Sequence, residues 1–122
     1  MAWPSYLLIA LGGGAGALAR YGTGRVLGAA FGWEALATLA INVAGAFALG
    51  IAAQLLAARP SLFLLLATGF LGAFTTFSTF AMDAVGLLQR IGALAAASYV
   101  AGSVLLALLA FAGGATIVGA KL

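Results

Sequence analysis

Long apolar runs dominate the chain, separated by short links that carry glycine, arginine or proline. Four such runs, at about 4–27, 34–58, 61–88 and 91–118, are each long enough to cross a bilayer, since a spanning helix needs about 20 mostly apolar residues. The pattern predicts an all-α membrane protein, residues 1–122 forming a single four-span transmembrane domain. Residues 28–32 make the first link, Arg59-Pro60 ends the second span, and Arg90 stands between the third and fourth.

The third run departs from this pattern. Within it residues 69–80 read GFLGAFTTFSTF, with glycines and a hydroxyl cluster in the middle of the segment. Glycine is a poor helix former, and Ser and Thr hydroxyls compete for backbone groups, so an interrupted helix is expected near Gly72 to Thr76. In hydrocarbon the freed N–H and C=O groups are tolerated only when buried in protein or turned toward an aqueous path. If the helix resumes afterwards, Phe77 and Phe80 share a face, and Thr75 and Thr79 form a polar edge beside it with Ser78. Small residues at Gly69 and Gly72 also permit close helix packing, as do the Gly12/Gly16 pair of the first run and Ala40, Ala44 and Ala48 of the second.

Polar residues inside the other runs are few. Asn42 lies near the middle of the second run with Thr38 one turn before it; a mid-membrane amide is costly unless partnered, so it either bonds a neighbouring helix or offers its N–H to a passing anion. Arg20, late in the first run beside Tyr21, is either an anchor reaching for the interface or a cation that draws anions to a pore mouth. Tyr99 and Ser103, four apart, add two hydroxyls on one face of the fourth run.

Composition narrows the function. The chain is 66% hydrophobic and 6% charged, with a mean hydropathy of +1.25, whereas soluble domains carry roughly a quarter charged residues. With no Cys, no His and only Glu34 and Asp83 as carboxylates, thiol, metal-ligand and acid–base chemistry have almost no material, and an enzyme is not expected. A net charge of +3, scattered along the chain, gives no nucleic-acid footprint. The apolar first run is not preceded by Lys or Arg, and its glycine-rich stretch continues past Ala-Leu-Ala, so it reads as a retained helix and not as a signal peptide. With four spans, the N-terminus, Arg59 and Lys121 share one side and Arg20, Arg25 and Arg90 the other. This near balance sets no preferred orientation and points to pairing with an inverted copy.

GGGAGALARY in the first run, TLAINVAGAFALG in the second and GFLGAFTTFSTF in the third, in this order, resemble the Fluc (CrcB) family of fluoride channels. The resemblance covers essentially the whole chain. It implies an inverted, dual-topology homodimer in the cell (inner or plasma) membrane, with two fluoride pores that lower the cytoplasmic fluoride level. It also implies a structural Na⁺ at the dimer centre, held by backbone carbonyls of Gly72 and Thr75 from both copies. Phe77 and Phe80 match the family's pore phenylalanines and Asn42 its pore asparagine; Ser78, Thr79, Tyr99 and Ser103 match its polar positions, and Thr38 lies on the same track as Asn42. Arg20 and Asp83 fall at vestibule positions, Asp83 where some members have Glu. Beyond Ser103 a further hydroxyl seen in some members is missing. The residue chemistry agrees with an anion path, because amide and hydroxyl donors and the positive edges of rings can replace water around a small anion without trapping it. Two other readings stand beside this one. A four-span exporter of the small multidrug type needs an intramembrane acid that the first run lacks. In a non-transporting assembly subunit, the polar residues would only join helices.

Overall fold

The structure, a computed structural model, describes residues 3–122, and all regular elements among them are helical. Helix α1 spans Trp3–Phe31 and α2 spans Glu34–Leu55. The third passage is built in pieces: residues 60–74 form α3, residues Phe77–Arg90 form α4, and Ala93–Ile117 form α5. Three stretches, Glu34–Leu55, Pro60–Arg90 and Ala93–Ile117, are long and apolar enough to cross a membrane. Helix α1 is continuous and has the length, at 29 residues, but its apolar character is diluted by glycines and by Arg20 and Arg25.

Turn chemistry explains where the helices stop. Gly32 ends α1 with φ +67, the left-handed conformation that only glycine adopts cheaply, and its N–H donates to the carbonyl of Gly28 at 3.0 Å. Helix α1 therefore runs on through residues 28–31, which the sequence assigns to a link, leaving Gly32 and Trp33 alone between α1 and α2. Gly92, at φ +136, makes the equally tight joint between α4 and α5. Pro60 takes the first helical position of α3, where its missing N–H costs nothing. Helix α2 stops at Leu55, three residues before the expected end, and residues 56–58 form a turn.

Helix α2 lies at the centre and touches all the other helices. Its seam with α5 is set by glycine against backbone: Gly50 meets the carbonyl of Phe111, and Gly114 meets the carbonyl of Phe47. Ala44, expected on a packing ridge with Ala40 and Ala48, is exposed, and the close approach falls to these glycines instead. Helix α1 packs on α3 in the same manner. Gly12 lies against the Leu65 carbonyl, Gly16 against that of Phe70, and a Cβ on Gly69 would stand 3.0 Å from the Ile9 carbonyl.

The interruption of the third passage is narrower than the sequence suggests, and it is preceded by a feature the sequence does not announce. Residues Phe63–Leu71 wind as a π-helix, a form rare beyond a single turn. Gly72 is still helical; only Thr75 (φ −79, ψ 158) and Thr76 (φ −148, ψ 122) are extended.

Candidate functional site

Arg20, Asn42, Thr75 and Thr76 converge at this two-residue break. The Thr76 N–H, which would close a helical bond to Gly72 were the helix continuous, donates instead to Asn42 Oδ1 at 2.8 Å. Asn42 Nδ2 in turn donates to the Thr76 carbonyl at 2.9 Å. One amide from α2 thus satisfies both backbone groups of one residue. On the other side, Arg20 Nε donates to the Ala73 carbonyl at 3.0 Å, placing a cation at the carbonyl end of α3, where the helix dipole favours it. That contact ties Arg20 to the break instead of leaving it to reach for a membrane surface. Thr75 turns its hydroxyl back onto the Leu71 carbonyl at 3.1 Å, and its methyl occupies the space over Gly45.

Thr76 also starts α4. Its Oγ1 accepts from the Thr79 N–H at 3.1 Å, donates to Thr79 Oγ1 at 3.1 Å, and lies 3.4 Å from Ser78 Oγ. It is a helix N-cap, and the spacing Thr76-Phe77-Ser78-Thr79 before an apolar run is the sequence signal for one. Thr76, expected from the sequence only as part of the break, is therefore also the residue that starts α4.

From the cap, three rings continue along α4 and α5. Phe77 and Phe80 stack with centroids 5.5 Å apart, and Phe80 stacks on Tyr99 at 5.5 Å. Phe77 is 79% exposed while Phe80 is 9% exposed, so one ring of the pair faces outward and the other lies inside. The Tyr99 hydroxyl donates to Asp83 Oδ2 at 3.4 Å, a long bond. Asp83 itself borders a hollow of about 310 Å³ with Glu34, Trp33 and Arg90.

Beside the break an open cavity of about 290 Å³ is lined by Asn42, Thr75, Thr76, Phe77, Phe80 and Ser103, with apolar residues of α2 and α5 completing its wall. Ser103 is buried there, and among the described residues its Oγ has no hydrogen-bond partner within 3.5 Å. A buried hydroxyl without a partner is costly, so a group in the cavity that accepts its proton would be stabilised. No formally charged residue lines this cavity.

The predicted site residues therefore fall into groups. Asn42, Phe77, Phe80 and Ser103 meet at one cavity. Ser78 and Thr79 sit at the cap beside it, and Tyr99 follows behind Phe80. Thr38 is buried, with its hydroxyl on the Glu34 carbonyl at 3.3 Å, apart from the cavity wall. Arg20 lies on the opposite side of the break, and Asp83 lines the separate hollow. Gly72 is exposed, its carbonyl released from the helix ladder because Thr76 N–H is bonded elsewhere.

Such an arrangement, with several apolar helices around an interrupted one and neutral donors at the interruption, defines a small multi-pass membrane protein. Comparison with known proteins gives its family. The profile of the CrcB-like protein, Camphor Resistance (CrcB) family matches residues 7–115. A protein of Rhizobium etli (strain CIAT 652) named fluoride-specific ion channel FluC is 46% identical, over 93% of this chain and 94% of its own length. Similar proteins of the same name from Paracoccus denitrificans (44% identical, 93% of each chain) and Nitrobacter winogradskyi (42% identical, 97% of this chain and 98% of that one) extend the match. The chain belongs to the CrcB family.

Proposed function

We propose that this protein is a fluoride-selective channel of the cell membrane that lets fluoride leave the cytoplasm, and that it works as an inverted, dual-topology homodimer. The observation that carries the reading is the cavity at the break. Its donors are neutral: an amide, hydroxyls and ring edges around an unpartnered Ser103. Such groups can replace part of the water around a small anion, yet release it, as conduction requires. The names of the relatives, all fluoride-specific ion channels, supply the choice of anion.

On this reading α1, about 44 Å long at 1.5 Å per residue, is the fourth crossing. Its glycines seat it on α3 and its arginine binds the break. A second copy is called for because the cavity is open and Phe77, one of its walls, is 79% exposed. The path then runs from the cavity past Phe80 and Tyr99, with Thr38, Ser78 and Thr79 as flanking hydroxyls. Arg20 and Asp83 set the potential at its approaches.

The resident cation of the family fits the chemistry present. A hard monovalent ion takes oxygen ligands. Among the carbonyls of residues 72–76, those of Ala73 and Thr76 are claimed by Arg20 and Asn42; of the remaining three, Gly72 and Thr75 are the two that the family resemblance assigns to the ion. These two would hold Na⁺ together with their counterparts from an inverted copy, since one chain offers too few oxygens. When bound, the ion supplies a fixed charge that ties two copies together.

The test is fluoride efflux from liposomes that contain the purified protein, read with an ion-selective electrode against chloride efflux. Rapid fluoride loss with little chloride loss is expected. Proton-coupled uptake of an organic cation would point to an exporter, and no transport at all to an assembly subunit; either result overturns the proposal.

A further inference from the structure

The amide of Asn42 is not free to serve mainly as an ion ligand. Its oxygen and one of its two N–H groups are both committed to the backbone of Thr76, at 2.8 and 2.9 Å. Both bonds have near-ideal lengths and span two helices. We infer that Asn42 is a positioning residue, acting through Thr76, and that Thr76 is the residue whose placement makes the site.

The argument follows the backbone groups. A break in a membrane helix leaves donors and acceptors that water cannot satisfy. Thr76 carries one of them: its N–H has left the α3 ladder, while its C=O, as the N-cap carbonyl, opens the α4 ladder and keeps a second lone pair for Asn42. Asn is the smallest side chain that offers one donor and one acceptor in the geometry of a peptide group. It therefore binds Thr76 as a neighbouring strand would. Held this way, Thr76 stays at φ −148 and ψ 122, and its hydroxyl can cap α4 through the Thr79 N–H. The cap fixes where α4 begins, and so fixes Phe77 and Phe80, one and four residues on. Asn42 to Thr76, to the α4 cap, to the two rings is a continuous chain of contacts. The second Nδ2 proton of Asn42 remains available toward the cavity.

This inference rests on the channel reading for its functional consequence but not for its structural one, and the two are measured separately. Asn42 is the only asparagine in the chain, so ¹⁵N-asparagine labelling of the intact protein in nanodiscs gives one side-chain amide signal. One of its two protons is expected to exchange with solvent at least tenfold more slowly than the other, with or without fluoride. If both exchange freely, the inference is overturned without any mutation.

The second arm uses Asn42→Ala with ¹⁵N-threonine labelling and liposome flux. The expected result is faster exchange of the Thr76 amide, unchanged exchange through the later turns of α4, and loss of fluoride flux. Loss of flux with Thr76 still protected would make Asn42 a direct ion ligand. Full flux with Thr76 unprotected would show that the clamp positions nothing that matters. Asn42→Asp does not discriminate, because a carboxylate both repels the Thr76 carbonyl and repels an anion. Absence of fluoride flux in the parent protein would sink the channel reading while leaving the amide measurements to decide the clamp.

Discussion

The two halves of the third passage differ in how they are held, although they are one continuous segment. Helix α3 is located by shape. Its π-wound stretch lies against Gly12 and Gly16 of α1 with backbone touching backbone, and a side chain from elsewhere, Arg20, reaches it only near its end, at the Ala73 carbonyl. Helix α4 is located by chemistry: a threonine cap, a clamp from Asn42, stacked rings and a hydroxyl on Asp83. The difference predicts two kinds of sensitivity. Added volume should disable the first half, while changes that keep volume and alter donors or rings should disable the second.

The largest effect is expected from Gly12→Val. A side chain there points into the Leu65 carbonyl, and backbone cannot swing aside as a flexible side chain can. Overpacking of this kind costs about 3 kcal/mol or more, a large share of a small protein's stability. The folded fraction recovered from detergent, measured by size exclusion, should collapse. Gly14→Val is the control, because nothing lies within 4 Å of a Cβ at Gly14. Equal tolerance at the two positions would break the claim that shape locates α3.

Asn42→Asp comes next and tests the other half. Volume is kept, the Thr76 N–H retains an acceptor, and the bond to the Thr76 carbonyl becomes a repulsion. Fluoride flux should fall by about 100-fold or more, equivalent to about 3 kcal/mol, with the protein still folded. Phe80→Ile should cost less, about tenfold in flux, since aromatic pairing contributes roughly 1 kcal/mol beyond its buried area. Both are read in the same liposome assay, with circular dichroism checking that helix content is unchanged.

The same division explains what was legible in the sequence. Apolar runs announce helices α2 to α5 because membrane insertion depends on little else, and the hydroxyl cluster announces the break because Thr and Ser at that density have few other uses. Asn42, Phe77, Phe80 and Ser103 are readable as rare polar or aromatic residues at set spacing, and they do meet at one cavity. The π-helix was not readable. Its sequence, FLLLATGFL, is ordinary for an α-helix, and the π-wound stretch is the one packed against Gly12 and Gly16 of α1, a contact between distant parts of the chain. Nor did the sequence reveal that Asn42 and Arg20 both end on the backbone of the break, since a lone amide or guanidinium does not name its partner. Thr76 was readable in principle, because a threonine directly before an apolar-periodic run is an N-cap candidate.

The smallest expected effect lies at the joint itself, where Thr75 belongs to both halves. Its methyl fills the space over Gly45, which is the shape-based contact of α3, while its hydroxyl bonds the Leu71 carbonyl, which is the polar contact typical of α4. Two substitutions separate these. Thr75→Ser removes the methyl and keeps the hydroxyl; Thr75→Val keeps the methyl and removes the hydroxyl. A buried methyl and a backbone-directed hydrogen bond are each worth about 1 kcal/mol. However, the Leu71 carbonyl already accepts the Thr75 N–H at 3.1 Å, so losing the hydroxyl leaves it satisfied. Valine also suits the extended backbone of Thr75, at φ −79 and ψ 158, at least as well as threonine does. Thr75→Ser should therefore lower thermal stability by a few degrees, and Thr75→Val by less. Flux should stay within about twofold of the parent in both, because in the proposed cation site Thr75 would contribute its backbone carbonyl, which neither substitution removes. A large loss of flux in Thr75→Val alone would move the joint wholly to the chemical side and give the Thr75 hydroxyl a role in the site.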